Sequence, residues 1–248
     1  SDWSSDVCSS DLIAEAPTGA PVGSALLPFN TVLHYLWNHK AFYGPFILGT
    51  TLANLFAYGS AAWVPSYFIR IHQWDASTTG MTLGVLYLVP ALVGGLAGGW
   101  LSDYFYNKGY AGAPLYLMVT VLAISVPCLA LFIYLPWLSA SLVFLVLLYL
   151  LVSLFFVLFP TVIQMATPNR MRAQVSAIHL LATNLVGLGF GPTSIALVTD
   201  YGFGDELAIG HSIALVGVVA YGLASVVLCY ALKPFTQQSL HVYRGTPS

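Results

Sequence analysis

The sequence predicts an all-α membrane protein, and two features of its composition lead to that class. Hydrophobic residues make up 58% of the 248-residue chain and charged residues only 6%, whereas a soluble domain carries about 25% charged residues. Six stretches are each long and apolar enough to cross a bilayer, which takes roughly 20 residues. A chain with so few charges cannot cover a globule with a hydrated surface, so the bilayer must be its solvent.

Six predicted transmembrane helices follow one another, separated by short polar breaks. Asp75 and Ser77 precede the second span and can cap its first turn. Residues 41–233 are therefore expected to form a six-helix domain, followed by a tail at residues 234–248. The predicted spans are Phe42–Ile69, Thr79–Leu101, Leu115–Leu135, Leu138–Ala166, Val175–Val198 and Ile209–Leu232.

Residues 13–40, before the first span, are predicted to be a linker that ends in an interfacial segment. IAEAPTGAPVGSALL, residues 13–27, has the composition of a flexible linker. FNTVLHYLWNHKAFYG, which follows it, has aromatic residues at helical spacing. This pattern is typical of a helix that lies in the interface plane and does not cross the membrane.

The first twelve residues, SDWSSDVCSSDL, differ in composition from everything that follows. They contain three Asp and five Ser, and they have neither the basic nor the apolar region of a signal peptide. Residues 2–12 resemble the translation of a common short-read sequencing adapter at eleven consecutive positions. Residues 1–12 are therefore expected to be non-biological, and a natural polar N-terminus is the alternative.

The basic residues predict the orientation of the chain. If the spans alternate, only Arg70 falls on the side that also holds the acidic residues Asp75, Asp200, Asp205 and Glu206. Basic residues accumulate in cytoplasmic loops. We therefore expect both ends of the chain to be cytoplasmic and the protein to lie in a bacterial inner membrane. The six basic residues on the other side are Lys40, Lys108, Arg170, Arg172, Lys233 and Arg244.

Several function classes lack the residues that they need. A net charge of −2 does not favour a nucleic-acid partner. Cys8, Cys128 and Cys229 are scattered and predict neither a disulfide framework nor a metal site. No HExxH and no carboxylate within a span is present, so no catalytic residue or cofactor is expected. A channel would need a charged ring or a carbonyl filter. The alternative class that stays open is a membrane-embedded enzyme with His179 as base or ligand.

The loop after the second span carries a family pattern. GGWLSDYFYNKG, residues 98–109, resembles the G-x-L-[AS]-D-[RK] signature of the major facilitator superfamily. Gly98 and Gly99 let a neighbouring helix approach closely, and Asp103 places a carboxylate at the unfavourable end of its helix dipole. Tyr104 departs from the signature, which has a basic residue at that position. Because of its position on the helix dipole, the Asp103 carboxylate is expected to pair with a basic side chain. The candidates are Lys108, Arg170 and Arg172.

Two further stretches resemble the spinster-like branch of the same superfamily. TPNRMRAQVSAIHLLATNLVGLGFGP spans residues 167–192, and WVPSYFIRIHQW closes the first span at residues 63–74. The resemblance implies the C-terminal six-helix half of a twelve-helix transporter, built from two inverted three-helix repeats. It also implies that the partner N-terminal half is missing from this chain.

The function that this resemblance implies is secondary active transport by alternating access. The expected substrate is a small organic or amphipathic solute, such as a lysophospholipid, a sphingoid lipid or a sugar acid. If transport is coupled to protons, the titrating carboxylate is expected in the missing half. A half-size membrane protein that dimerises and does not transport is the alternative.

The candidates for the substrate cavity are polar residues inside the spans. His179 could titrate, or it could simply bond a neighbouring helix. Thr183 and Asn184 could face the cavity with it or form interhelical hydrogen bonds. Asn54 lies near the middle of the first span, and Gln164 could line the mouth of the cavity or satisfy backbone groups. The expected packing or hinge residues of the fifth span are Gly187, Gly189, Gly191 and Pro192.

Overall fold

The computed structural model describes residues 28–110 and 112–244, with side chains described as far as residue 237. Every regular element in this part of the chain is helical. The predicted adapter-derived segment and flexible linker lie outside the described residues. The helices are α1 (Phe29–Asn38), α2 (Lys40–Ile71), α3 (Ala76–Asn107), α4 (Ala113–Tyr134), α5 (Leu138–Ala166), α6 (Arg172–Leu197) and α7 (Ile209–Arg244), with a π-helical turn at Val198–Phe203 and a 3-10 turn at Glu206–Ala208.

Within the described residues, five helical segments are long and apolar enough to cross a membrane. They are Ala76–Asn107, Ala113–Tyr134, Leu138–Ala166, Arg172–Phe203 and Glu206–Gln237. The remaining long helix, α2, has 32 residues, and at about 1.5 Å per residue it is long enough to span. It contains glycines, threonines and Asn54, and it is not among the helices that meet both the length and the composition required. Five of the six predicted spans are thus confirmed by length and composition, and α2 meets the length alone.

The helices alternate in direction and form one bundle. Thr50 lies beside His179, and further along both helices Trp63 lies beside Pro192, so α2 runs parallel to α6. The ring of Phe42 packs against that of Phe235 with centroids 5.5 Å apart, so α2 runs antiparallel to α7. At the far end of the same pair, Arg70 contacts Glu206. The other large interfaces are those of α5 with α3 and α4, and of α4 with α7.

The core lies between α2, α4, α5 and α7, whereas α3 and α6 sit on its flanks. Fully buried side chains fill this core, among them Phe46, Phe68, Met118, Phe132 and Leu158. The outer faces of α3 and α6 stay apolar and exposed, as a lipid-facing surface requires. Examples on these faces are Met81, Leu92, Leu96, Leu181, Leu185 and Phe190.

Most of the basic residues are predicted to lie on one side of the membrane, and the five of them with described side chains lie at one end of the bundle. We call this the basic end. Its residues are Lys40, Lys108, Arg170, Arg172 and Lys233. Contacts between helix ends bring them there. Tyr43, near the start of α2, bonds Thr167 after α5. A Cβ on Gly112, just before α4, would lie 3.0 Å from the Thr236 hydroxyl of α7. The predicted segregation of charge is therefore present in space, and the assignment of this end to the cytoplasm stays a prediction.

Candidate functional site

The seam between α2 and α6 is the closest helix–helix contact that involves the predicted site residues. A Cβ added to Gly191 would lie 2.5 Å from the carbonyl oxygen of Leu55, and one added to Gly59 would lie 2.7 Å from that of Gly191. A Cβ on Gly187 would lie 2.7 Å from the Tyr58 ring. Only glycine permits such approaches, because the opposing atoms are mostly backbone.

Three side-chain hydrogen bonds cross this seam at different depths. The Thr50 hydroxyl and Nε2 of His179 are 2.9 Å apart. Further along α2, the Tyr58 hydroxyl donates to Oδ1 of Asn184 at 2.7 Å. Near the end of the contact, Nε1 of Trp63 donates to the carbonyl oxygen of Pro192 at 2.9 Å. The two helices are therefore joined by polar bonds along most of their shared length.

The hydrogen bonds of Thr50 indicate which tautomer His179 adopts. The Thr50 hydroxyl has one proton, and the carbonyl oxygen of Phe46, 2.7 Å away, can only accept it. With that proton assigned to the Phe46 carbonyl oxygen, Nε2 of His179 donates to Thr50, and Nδ1 is left as an acceptor. This Nδ1 is buried and has no hydrogen-bond partner among the described residues. The ring lies between those of Phe46 and Phe159, with centroids 5.3 Å and 5.2 Å away.

Asn54 provides a second buried acceptor, one turn beyond Thr50 on α2. The side chain is only 5% exposed, and its Oδ1 has no donor in the described part of the chain. A buried polar atom without a partner costs about 1–3 kcal/mol. Both acceptors lie on helices of this seam, and each can accept a hydrogen bond from a donor such as water.

The structure brings four of the five cavity candidates to this seam. Thr183 is fully buried and donates to the carbonyl oxygen of His179 at 2.9 Å. Asn184 bonds Tyr58, as described above, and Asn54 lies across from Gly187. Gln164 is exposed near the end of α5 and lies apart from the other four.

Three residues of this seam, Thr50, Tyr58 and Trp63, are not predicted as site residues from the sequence. Thr50, Asn54 and Tyr58 follow one another at four-residue intervals, so they form one polar stripe on α2. This spacing was a detectable signal, because the rest of the helix is largely apolar.

The residues of the family signature form a different set of contacts. A Cβ on Gly98 would lie 3.2 Å from Cδ2 of Leu154 on α5, whereas Gly99 has nothing within 4 Å. Asp103 is exposed and forms no ion pair with any described residue. Nζ of Lys108 instead lies 4.4 Å from the ring centroid of Tyr104. This chain departs from the signature at Tyr104, and the ring of Tyr104 forms a cation–π contact with Lys108.

Arg170, which precedes α6, and Arg172, its first residue, also lack the expected acidic partner within the described chain. Nε of Arg172 donates to the carbonyl oxygen of Thr167 at 3.0 Å, and Arg170 is exposed. The physical reason is the position of the helices. Asp103 lies near the end of α3, whose main partner is α5, and α3 and α6 lie on opposite flanks of the core. A role for Asp103, Lys108, Arg170 and Arg172 in a conformational change stays a prediction.

Comparisons with known proteins agree with this architecture. A Bacillus subtilis (strain 168) protein named uncharacterized transporter YybO is 33% identical over 63 residues, which is 25% of this chain and 14% of that protein. The crystal structure of a bacterial homologue of the human lysosomal transporter Spinster, inward-facing and unoccupied, matches with a TM-score of 0.64 at 17% identity. That match covers 94% of this chain and 54% of the other.

The same bacterial Spinster homologue in an inward-facing, occupied conformation gives a TM-score of 0.55 at 16% identity, over 82% of this chain and 49% of the other. The chain therefore spans about half the length of these solved structures, and it shares their fold. A family model described as the Major Facilitator Superfamily matches residues 11–192, most of the chain. The chain belongs to the Major Facilitator Superfamily.

Proposed function

We propose that this chain is half of a secondary active transporter, which moves a small organic or amphipathic solute across the membrane by alternating access. The observation that carries the proposal is the pattern of helix pairing. Exchanging α2, α3 and α4 with α5, α6 and α7 leaves the set of large interfaces unchanged. The pair α2–α6 becomes α5–α3, the pair α2–α7 becomes α5–α4, and α4–α7 maps onto itself.

The direction of the helices supports an inverted relation between the two triplets. The start of α2 lies beside the end of α5, since Tyr43 donates to the carbonyl oxygen of Ala166, as does Tyr35 of the preceding helix α1. The first helix of one triplet is therefore antiparallel to the first helix of the other. Inverted repeats of this kind place the solute site near the midplane and let one bundle rock against another.

The α2–α6 seam is the part of this half that we propose faces the solute path. Its unpartnered acceptors, Asn54 Oδ1 and His179 Nδ1, are uncharged. No Asp, Glu, Lys or Arg occurs inside the described spans, apart from the helix ends. This half therefore contributes hydrogen-bond acceptors and aromatic surface. An anionic solute would need its counter-charge, and a proton its carboxylate, from the partner half.

The test uses the complete carrier, whose reading frame is recovered from source DNA upstream of Ile13. The purified carrier is reconstituted in vesicles and assayed for counterflow of a labelled lysophospholipid, a sphingoid base and a sugar acid. We expect counterflow of at least one solute, and a reduction of about tenfold in Asn54→Leu, which corresponds to about 1.4 kcal/mol of lost interaction. Gly189→Ala is the matched control, because Gly189 faces open space on the same seam helix.

Two results would overturn the proposal. The first is a reading frame upstream of Ile13 that encodes no further apolar spans. The second is a complete carrier whose counterflow of all three solutes does not exceed that of vesicles without protein. The chain of 248 residues on its own is expected to show no uptake, because it supplies one side of the cavity.

A further inference from the structure

The short helix α1 presents three distinct faces. One face is buried against the bundle, with Val32 inaccessible to solvent and Tyr35 bonded to Ala166 of α5. Successive residues of a helix are rotated by about 100°, so the exposed residues fall into two further sectors. Polar residues fill the sector opposite the bundle; these are Asn30, Thr31, His34 and Asn38.

The third face is an exposed apolar stripe. Phe29, Leu33 and Trp37 follow one another at four-residue spacing and are 59%, 43% and 69% exposed. This stripe lies between the buried face and the polar face. A helix that met only water on its outer side would not separate apolar from polar residues there. The arrangement is the one expected at a boundary where protein, lipid and water meet.

The charged residues near α1 indicate which type of lipid surface its apolar stripe would contact. Nζ of Lys40 lies 4.9 Å from the ring centroid of Trp37, so a cation stands at the end of the stripe. No acidic residue occurs between Phe29 and Trp74. Tryptophan prefers the headgroup level of a bilayer, and lysine extends its amine from an apolar stem to a phosphate. The local field at this end of the stripe is therefore suited to an anionic headgroup.

We propose that α1 lies on an anionic bilayer surface, with Phe29, Leu33 and Trp37 seated among the acyl chains and Lys40 at the phosphates. The buried face of α1 would then connect that surface to the end of α5 through the Tyr35–Ala166 bond. The inference concerns a contact with lipid, and it holds whichever solute the carrier moves.

Site-directed spin labelling tests the proposal in the intact chain. Leu33→Cys and His34→Cys are one residue apart, both exposed, and they lie on the apolar and polar faces respectively. Cys8 and Cys229 are replaced by Ser, and Cys128 is buried. The labelled protein is reconstituted in vesicles of phosphatidylcholine, with or without phosphatidylglycerol. Relaxation by oxygen reports the lipid phase and relaxation by a water-soluble nickel chelate reports water.

We expect oxygen to relax the label at position 33 preferentially and the nickel chelate to relax the label at position 34. Phosphatidylglycerol should increase the lipid-seated population of α1 about fivefold, since one lysine near an anionic surface contributes that much, and Lys40→Gln should remove this increase. Nickel access at both positions would overturn the proposal, as would protection at both, which indicates a protein cover. If phosphatidylglycerol and Lys40→Gln both leave the lipid-inserted population of α1 unchanged, the proposed specificity for anionic lipid is wrong.

Discussion

A single added methyl group at Gly191 tests whether the α2–α6 seam is packed as tightly as the structure indicates. In Gly191→Ala the new Cβ would lie 2.5 Å from the carbonyl oxygen of Leu55 and 3.0 Å from the amide nitrogen of Gly59. Both opposing atoms are backbone, so no side chain can rotate to make room. The two helices must therefore separate locally, by roughly 1 Å, before ordinary van der Waals contact is restored.

The cost of this separation follows from the contacts that it disturbs. Overpacking a well-filled contact costs about 1–3 kcal/mol. The bond from Trp63 to the carbonyl oxygen of Pro192 is 2.9 Å long and lies one residue away, so it would be stretched as well. Interhelical bonds in membranes contribute about 0.6 kcal/mol. We expect a total near 2 kcal/mol, or a fall in Tm of about 4–8 °C for a chain of this size.

The assay follows the thiol of Cys128, which is buried on α4, with a dye that fluoresces on reaction. Cys8 and Cys229 are replaced so that unfolding alone exposes a thiol. Gly189→Ala is the control, because a Cβ at that position has no neighbour within 4 Å. The control should melt at the wild-type temperature or slightly above it, since alanine favours the helix.

Equal melting temperatures for Gly191→Ala and Gly189→Ala would refute this reasoning. They would mean that α2 and α6 are farther apart than the structure has them, or that the contact relaxes at no cost. A large loss in both variants would also refute it, because the effect would then come from helix propensity and not from the seam.

Three further predictions concern single groups. Asn54→Leu should raise the free energy of unfolding by about 1 kcal/mol, and with it the Tm, because the substitution removes a buried acceptor without a donor. A lower Tm would mean that the Asn54 amide oxygen accepts a hydrogen bond in the membrane. The contact between Arg70 and Glu206, 3.4 Å long with side chains 37% and 81% exposed, should give a coupling energy below about 1 kcal/mol in a double-mutant cycle. Hydrogen bonds from Thr78 hold the pKa of Asp75 below its ordinary value, so its stabilising contribution is present above the ordinary aspartate pKa and is lost as the pH falls through the lowered one. Asp75→Asn keeps a cap and should reduce the dependence of Tm on acidic pH.

The helices themselves could be predicted from the sequence because local signals determine them. The predicted fourth span, Leu138–Ala166, has the bounds of α5. The predicted cap at Asp75 is present, with its carboxylate accepting the Thr78 amide at 2.9 Å. Apolar length and capping chemistry are properties of a few neighbouring residues, so no tertiary information is needed.

The partners of the site residues could not be predicted in the same way. Periodicity places His179 on a face of its helix, but only the packing of α6 against α2 determines that Thr50 lies opposite. The expected pairing of Asp103 with the arginines failed to form in the described residues for the same reason, because sequence does not reveal which flank a helix occupies. Gly189 is a partial exception: it lies two residues from Gly187 and Gly191, so helical geometry alone turns it away from their face.

The two flanking helices use the same packing device, which supports the inverted relation between the triplets. On α3, Gly94 and Gly98 lie four residues apart against α5, and a Cβ on Gly94 would lie 2.6 Å from the carbonyl oxygen of Leu150. On α6, Gly187 and Gly191 have the same spacing and the same relation to α2.

The polarity of these two seams differs, and that difference bears on function. Thr50, Tyr58 and Trp63 bond across the α2–α6 seam, whereas within the described chain no side-chain hydrogen bond joins α3 to α5. Close packing through glycine is sufficient to hold the α3–α5 seam, so the fold does not require polar groups at such a contact. The buried acceptors of Asn54 and His179 cost stability where an apolar seam would not. We infer that they are kept for a molecule that passes or binds there, and Asn54→Leu separates the two effects: a gain in Tm together with a loss of counterflow supports the inference, and a gain in Tm with full counterflow contradicts it.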